Sequence, residues 1–344
     1  MPDASFTPSH ATLRARGRVQ AELHECAAAT AREQFGHKVF VRAVVELSNF
    51  CRENCHYCGM RRGHRTLTRF RARHDELAEL LVHHRPASIT DVNFQTGEDL
   101  IAVREVVLPL IKTLRRATQL GISVCLGTLD AALYAELKNA GAEIYIMKFE
   151  LANAARYAQL AAPGSLAERC AHIRLLAQNG WHVSSGFIAG LPGQTDDELL
   201  QNFELARSLP LMGCSVSPFI PGDETPLAAA PTAALDLTLN CMAALRLLRP
   251  DWVIPAVSAL NLAGAGDGYA RGLRTGANLA TINLTPDAVR GDYLLYKRDR
   301  FIMTEAKILD ALAAEKLSPS TQSLAEFYRA QATTRPAELE LATA

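Results

Sequence analysis

Apolar and β-branched residues recur along this chain in short runs separated by amphipathic stretches. The runs are Val41–Leu47, Ile89–Phe94, Ile122–Leu126, Ile144–Phe149, Val183–Ala189, Cys214–Phe219, Val253–Leu260 and Leu279–Leu284. Each has the length and composition of a buried strand. Between them the spacing turns helical. Leu77, Leu80 and Leu81 share one face of Asp75–His84, and Val106, Val107, Leu110, Ile111 and Leu114 share one within Val103–Gln119. Ala131–Ala140, Ser165–Asn179, Asp196–Ser208 and Ala234–Leu248 continue the alternation, and Asp267–Thr275 is a short connector. Thr195 and Glu198 form a capping-box pattern. Gly121, Gly141 and Gly180 stand where helix-ending glycines belong.

Eight strands alternating with helices over about 250 residues predict an α/β fold, a (βα)8 TIM-type barrel. An open, doubly wound sheet is the alternative. The expected organisation is an N-terminal helical lead-in over 1–38, with a helix at Ala11–Phe35, then the barrel over 39–315. A C-terminal tail over 316–344 follows, with a helix at Gln322–Thr333. Barrel chemistry gathers at the C-terminal ends of the strands, so residues just after each run are the ones to inspect.

After the first run comes Ser48-Asn49-Phe50-Cys51-Arg52-Glu53-Asn54-Cys55-His56-Tyr57-Cys58-Gly59-Met60. The C-x3-C-x2-C spacing gathers three thiolates on one loop with no fourth cysteine nearby. That set suits a [4Fe–4S] cluster with one iron open to a ligand. A zinc knuckle completed by His56 or a distant histidine is the other reading, although structural zinc sites usually pair two such hooks.

Charge and length narrow the class. The 344 residues carry no net charge and are 49% hydrophobic. They can bury one large core, they make no chain-wide electrostatic case for nucleic acid, and no apolar run is long enough to span a membrane. Nothing at the N-terminus resembles a signal peptide, and Cys26, Cys125, Cys170, Cys214 and Cys241 are scattered singly, so the expected compartment is a reducing cytoplasm. Arg61, Arg62, Arg65, Arg69 and Arg71 make one local basic cluster. It reads either as a solvated loop or as a contact surface for an anionic substrate or an acidic electron donor.

Other strand ends carry polar residues. Gly97 allows close backbone approach, and Glu98 either accepts a bond from an ammonium group or caps the helix that follows. Lys148 and Glu150 alternate around Phe149 and so point to one side, as an ion pair or as ligand contacts. Arg169, next to Glu168 on a helix, either clamps a carboxylate or lies on the surface. Gly186–Gly193 closes the fifth run with glycines that let a flat ring lie against backbone. It is not a phosphate loop, lacking G-K-[ST]. Ser258, Asn261, Asn283, Thr285 and Arg290 are candidates for the opposite wall and for a substrate.

The cysteine motif, with Tyr57 before its last cysteine, resembles the radical S-adenosylmethionine (SAM) superfamily. Val44–Cys55, Tyr57–Arg62, Gln95–Asp99, Gly190–Thr195, Pro218–Pro221, Thr225–Leu227 and Gly276–Asn278 resemble its biotin-synthase-like branch. That branch holds biotin synthase, the hydrogenase maturase HydE and 3-methylornithine synthase. The likeness runs over roughly residues 30–315. It implies a (βα)8 barrel in which Cys51, Cys55 and Cys58 hold a [4Fe–4S] cluster and SAM chelates the open iron. Reductive cleavage of SAM then gives a 5′-deoxyadenosyl radical that takes hydrogen from a small molecule. It also implies SAM contacts: Gly97 and Glu98 with the methionine amino group, Arg169 with the carboxylate, Glu150 with the ribose, and Tyr57 and Ile188 with adenine. A flavodoxin- or ferredoxin-type electron donor is implied as partner.

The chain departs from its branch in places. The second cluster of biotin synthase uses three cysteines and an arginine. Here Cys125 is offset from one such position, Ser184 occupies another, and no arginine stands near Ser258. HydE-like chains continue Gly-Glu-Asp with Pro-Tyr-Tyr and carry His-Glu-Thr, where this chain has Leu100-Ile101-Ala102 and Phe149-Glu150-Leu151. The first expectation is therefore a radical SAM enzyme of the HydE and methylornithine-synthase group acting on a small, amino-acid-like molecule. Sulfur insertion into a lipoyl- or biotin-type acyl chain is the second, and requires Cys125, Cys170, Cys214 and Cys241 to supply an auxiliary iron–sulfur cluster. A non-catalytic iron–sulfur scaffold is the third.

Overall fold

The computed structural model describes residues 6–264, 266–297 and 301–334. The remainder of the expected lead-in and tail lies outside the described residues. Seven parallel strands form the sheet: β1 (Lys38–Ser48), β2 (Asp91–Thr96), β3 (Gly121–Cys125), β4 (Ile144–Ile146), β5 (His182–Ala189), β6 (Gly213–Pro218) and β7 (Leu279–Asn283). Their spatial order is β6-β5-β4-β3-β2-β1-β7. The seam between β6 and β7 is closed by residues 253–255, with Val253 bridged to Gly213 and Pro255 to Leu279. Cys214 N donates to Val253 O at 3.1 Å, and Ala256 N to Leu279 O at 3.0 Å. The sheet is a closed ring, so the (βα)8 barrel holds and the open sheet does not.

The seventh ring position differs from the expected strand over Val253–Leu260. Pro255 has no N–H to continue a ladder, and the chain turns into a helix at Ala259–Ala263. The fourth strand is also shorter than its apolar run. Beyond Ile146 the chain leaves the ladder and rejoins β5 through a single bridge between Glu150 and Phe187. A two-residue strand, β8 (Ser318–Pro319), pairs with the start of β1 outside the ring.

Helices wrap the ring and bury its outer apolar faces in one large cluster that includes Val41, Phe94, Val124, Phe187, Leu239 and Ile282. The lead-in is two helices, His10–Leu13 and Gly17–Phe35, not one. The second packs against Leu235–Leu248, where Asn240 accepts from Gln20 Nε2 at 2.9 Å and donates to the carbonyls of Leu13 and Ala15. The Thr195–Glu198 capping box is present. Gly141 and Gly180 end their helices with φ of 118° and 73°. Gly121 instead opens β3, where a Cβ would overlap the Asp91 carboxylate.

The helix Leu324–Thr334 seals the N-terminal end of the barrel. Asp91 accepts the backbone N–H groups of Leu324 (2.7 Å) and Ala325 (3.3 Å). Leu324, Ala325 and Tyr328 pack with Phe40, Ile144, Val253 and Leu279. With that end plugged, the barrel interior opens toward the C-terminal mouth. No helix of the described residues is long and apolar enough to cross a membrane.

Candidate active site

Residues 49–73 cross the C-terminal mouth as a long loop between β1 and the helix His74–His83. Buried side chains hold it in place of regular structure. The Asn49 amide donates to Thr68 O and Asp292 O, both at 2.7 Å, and accepts from Phe70 N at 2.8 Å. The Arg69 guanidinium donates to the carbonyls of Asn49, Met60, Arg61 and His64. A planar, multi-donor fork suits such a cage of carbonyls. Arg71 is bound bidentately to Asp99 at 2.7 and 3.0 Å, and Arg61 donates to Asn54. The basic cluster is thus largely internal bracing. Arg62 and Arg65 are its exposed members.

The loop turns Cys51, Cys55 and Cys58 into one chamber at the barrel mouth. Burial, reinforced by the neighbouring thiols, pushes Cys55 well above the usual thiol range. Burial likewise pushes Cys58 up to about 12. Three enclosed thiols can ionise together only if a bound cation compensates them. Gly97 closes against this loop: a Cβ there would overlap the Phe50 carbonyl and lie 2.9 Å from Cys51 Cβ. Glu98 N donates to Cys51 Sγ at 3.4 Å.

Glu98 is not the helix cap, since the Asp99 side chain accepts from Ile101 N and fills that role. The Glu98 carboxylate instead takes Arg169 Nη2 at 3.2 Å on one oxygen and Arg52 Nη2 at 3.0 Å on the other. Arg169 is not a surface residue. It is 4% exposed, on a helix begun by a Ser165–Glu168 capping box, and its Nε has no partner. Burial opposes the Arg169 cation, but Glu98, Tyr157 and Glu150 outweigh it and raise its pKa.

Lys148 and Glu150 do share a side, as their alternation predicts, and both line the cysteine chamber with Tyr57 and Ile188. Lys148 Nζ donates to Ser217 Oγ at 3.1 Å. Glu150 sits at φ 62°, a strained conformation for a residue with a Cβ and one that concentrates at functional sites. Burial raises its pKa, against the pull of Lys148 and Arg169.

A second chamber lies deeper in the barrel. Arg42, Glu46, Asn93, Ser184, Ser215 and Asn283 are among its wall residues, and Ser258 stands at its edge. Asn283 Nδ2 donates to Glu46 Oε1 at 3.3 Å. The other three expected wall residues brace the structure instead. Asn261 accepts from Tyr269 N, Thr285 bridges the backbone and carboxylate of Glu46, and Arg290 donates to Thr285 O. Arg42 and Glu46 were missed by sequence reasoning. Their signal was two charged residues at even spacing inside an apolar run, which places both on the inward face of β1.

Of the remaining cysteines, Cys125 and Cys214 border one chamber, and no third joins them. Cys170, Cys214 and Cys241 lie in the hydrophobic packing around the ring, and Cys26 is exposed. Cys125 opens into the interior. Among the described residues, no three His, Cys, Asp or Glu gather closely enough to hold a single metal ion. That leaves the zinc knuckle without a ligand set. A [4Fe–4S] cluster spreads its cysteines over different irons, and three thiols facing one chamber beside the unpaired Arg169 Nε fit such a cluster with a bound, charged ligand.

Residues 45–206 match the family described as the radical SAM superfamily. The chain is 33% identical over 265 residues to the [FeFe] hydrogenase maturase subunit HydE of Thermotoga maritima, covering 77% of this chain and 76% of that one. It is 25% identical over 296 residues to 3-methylornithine synthase of Methanosarcina barkeri, covering 84% and 82%. The crystal structure of methylornithine synthase (PylB) superposes with a TM-score of 0.79 at 22% identity, over 90% of this chain and 92% of that one. This chain belongs to the radical SAM superfamily, as an enzyme of its HydE- and methylornithine-synthase-like group that uses a [4Fe–4S] cluster and SAM.

Proposed function

We propose that the chamber at the mouth holds the cluster and SAM, and that the deeper chamber holds a small, amino-acid-like substrate. The observation that carries this reading is the wall the two chambers share: Gln95, Cys125, Lys148, Ser217 and Tyr296 line both. The cluster with bound SAM supplies a 5′-deoxyadenosyl radical. Every other role falls to the chain. Cys51, Cys55 and Cys58 hold the cluster. Gly97 and Glu98 face the methionine amino group, and the unpaired Arg169 Nε is available to its carboxylate. Glu150 faces the ribose, while Tyr57 and Ile188 flank adenine. Below them, Lys148 and Arg42 offer cations to a substrate carboxylate, and Glu46, held by Asn283 and Thr285, offers a charge to an ammonium group. The plugged lower end of the barrel keeps bulk water from reaching the substrate from that side.

Exposed Arg62 and Arg65, on the loop that carries the cysteines, suit docking of an acidic flavodoxin- or ferredoxin-type donor. Free thiols at all eight cysteines suit a reducing cytoplasm. Sulfur insertion finds no support, because only two of the cysteines it needs, Cys125 and Cys214, border one chamber.

The test is anaerobic reconstitution followed by iron analysis, EPR of the reduced protein with and without SAM, and assay of 5′-deoxyadenosine. About four irons per chain, a SAM-shifted signal and nucleoside product are expected. Cys55→Ala should lose all three while keeping its far-ultraviolet circular dichroism. Nucleoside formed by Cys55→Ala, or wild-type protein that fails to respond to SAM, would sink the reading.

A further inference from the structure

Cys125 differs from every other cysteine outside the cluster motif. It ends β3, in register with Gln95 of β2, and lies on the wall of both chambers, between Glu150 on the mouth side and Arg42 on the deep side. The residue is partly accessible. Cys214 also borders the deeper chamber, but it is 1% exposed and packed in the outer core. Two polar side chains that line the same mouth chamber are also left incompletely satisfied. The Nε of Arg169 and the Oγ1 of Thr96 are buried there without hydrogen-bond partners. Burial raises the Cys125 pKa, so at neutral pH the group is a thiol and carries a hydrogen atom.

Resting on the radical SAM reading, we propose that Cys125 is a catalytic hydrogen-atom donor that quenches a carbon-centred radical at the junction of the two chambers. An S–H bond is weaker than an alkyl C–H bond, so the transfer runs downhill. The Cys125 S–H bond breaks homolytically, a C–H bond forms on the radical carbon, and a thiyl radical remains on Sγ. One electron from the low-potential donor that also reduces the cluster, together with one proton from solvent, restores the thiol. The junction position is what the step requires: the thiol reaches the space where the radical arises and the space where the substrate waits.

The experiment uses the reconstituted protein without substrate, in deuterium oxide, where the Cys125 thiol exchanges to S–D. Dithionite supplies the electrons, and SAM is the only added ligand. Mass spectrometry reads the fraction of 5′-deoxyadenosine that carries one deuterium, and EPR of the reduced cluster reads SAM binding independently of turnover. Wild-type protein should give monodeuterated nucleoside. In Cys125→Ala and Cys125→Ser that fraction should fall at least about tenfold, with the SAM-induced EPR change still present. An unchanged deuterium fraction in the variants overturns the proposal. So does loss of the EPR response along with the label, which would make Cys125 a structural residue. If wild-type protein gives no nucleoside at all, the radical SAM reading fails, and the proposal with it.

Discussion

Arg169 Nη2 lies 3.2 Å from Glu98 Oε1, with the two side chains 5% and 8% exposed. Glu98 also receives Arg52 from the solvent side, so one carboxylate ties the cysteine loop, the end of β2 and the helix Leu166–Gln178 together. Removing one partner of a buried pair strands the other charge. Arg169→Ala should cost about 3 kcal/mol of folding stability, at the low end of the usual range because Glu98 keeps Arg52. Urea unfolding of the cluster-free protein measures it. A double-mutant cycle with Glu98→Gln should show coupling between the two sites. Additive losses would mean that the pair is not energetically connected.

Gly97 packs its backbone directly on the cysteine loop. In Gly97→Ala the new methyl overlaps the Phe50 carbonyl and crowds Cys51, so one segment must move. Overpacking of this kind costs about 1–3 kcal/mol, and the displacement falls on a proposed cluster ligand. Iron per chain after reconstitution should fall well below the wild-type value while far-ultraviolet circular dichroism is retained. Full iron loading with an unshifted EPR signal would contradict the packing argument.

Glu150 gives the protein a specific pH response. Its pKa is raised from the ordinary 4.5 by burial, against Lys148 and Arg169. An acid whose folded pKa lies above its unfolded one binds its proton more tightly in the native state. Ionising it therefore costs stability: the cost is absent below the unfolded pKa, grows as pH rises toward the folded pKa, and is complete above it. Glu150→Gln should be more stable than wild type at pH 7, with the difference vanishing near pH 4. Thermal unfolding of the cluster-free proteins across that range checks the sign. A wild type that is the more stable of the two at pH 7 would show that its ion partners outweigh burial.

Arg62 and Arg65 are exposed on the outer side of the cysteine loop. The double reversal Arg62→Glu with Arg65→Glu should slow cluster reduction by a reduced flavodoxin roughly tenfold at low salt, with the gap closing as ionic strength rises. Reduction by dithionite provides the control and should match wild type. Equal flavodoxin rates would place the donor elsewhere on the surface.

Much of this architecture was legible because its signals are local. The alternation of strand and helix, the C-x3-C-x2-C spacing and the Thr195 capping box are each set within about one element's length of chain. The failures have local causes too. Pro255 removes a ladder donor from a run that otherwise reads as strand, and Gly121 looks like a helix end although its role is to leave room for Asp91. What the sequence by itself determined is the fold class and the chemistry of the family. What only the tertiary structure decided is which distant groups meet. Arg169 finds Glu98 across 71 residues, and Glu46 meets Asn283 across 237. Cys125 becomes the thiol between two chambers because the ring closes and turns its side of β3 inward, while Cys214, although it borders the deeper chamber, is packed into the core. Inward and outward on a strand differ by one residue of phase, and that phase is set by the register of the neighbouring strands, which the sequence does not spell out.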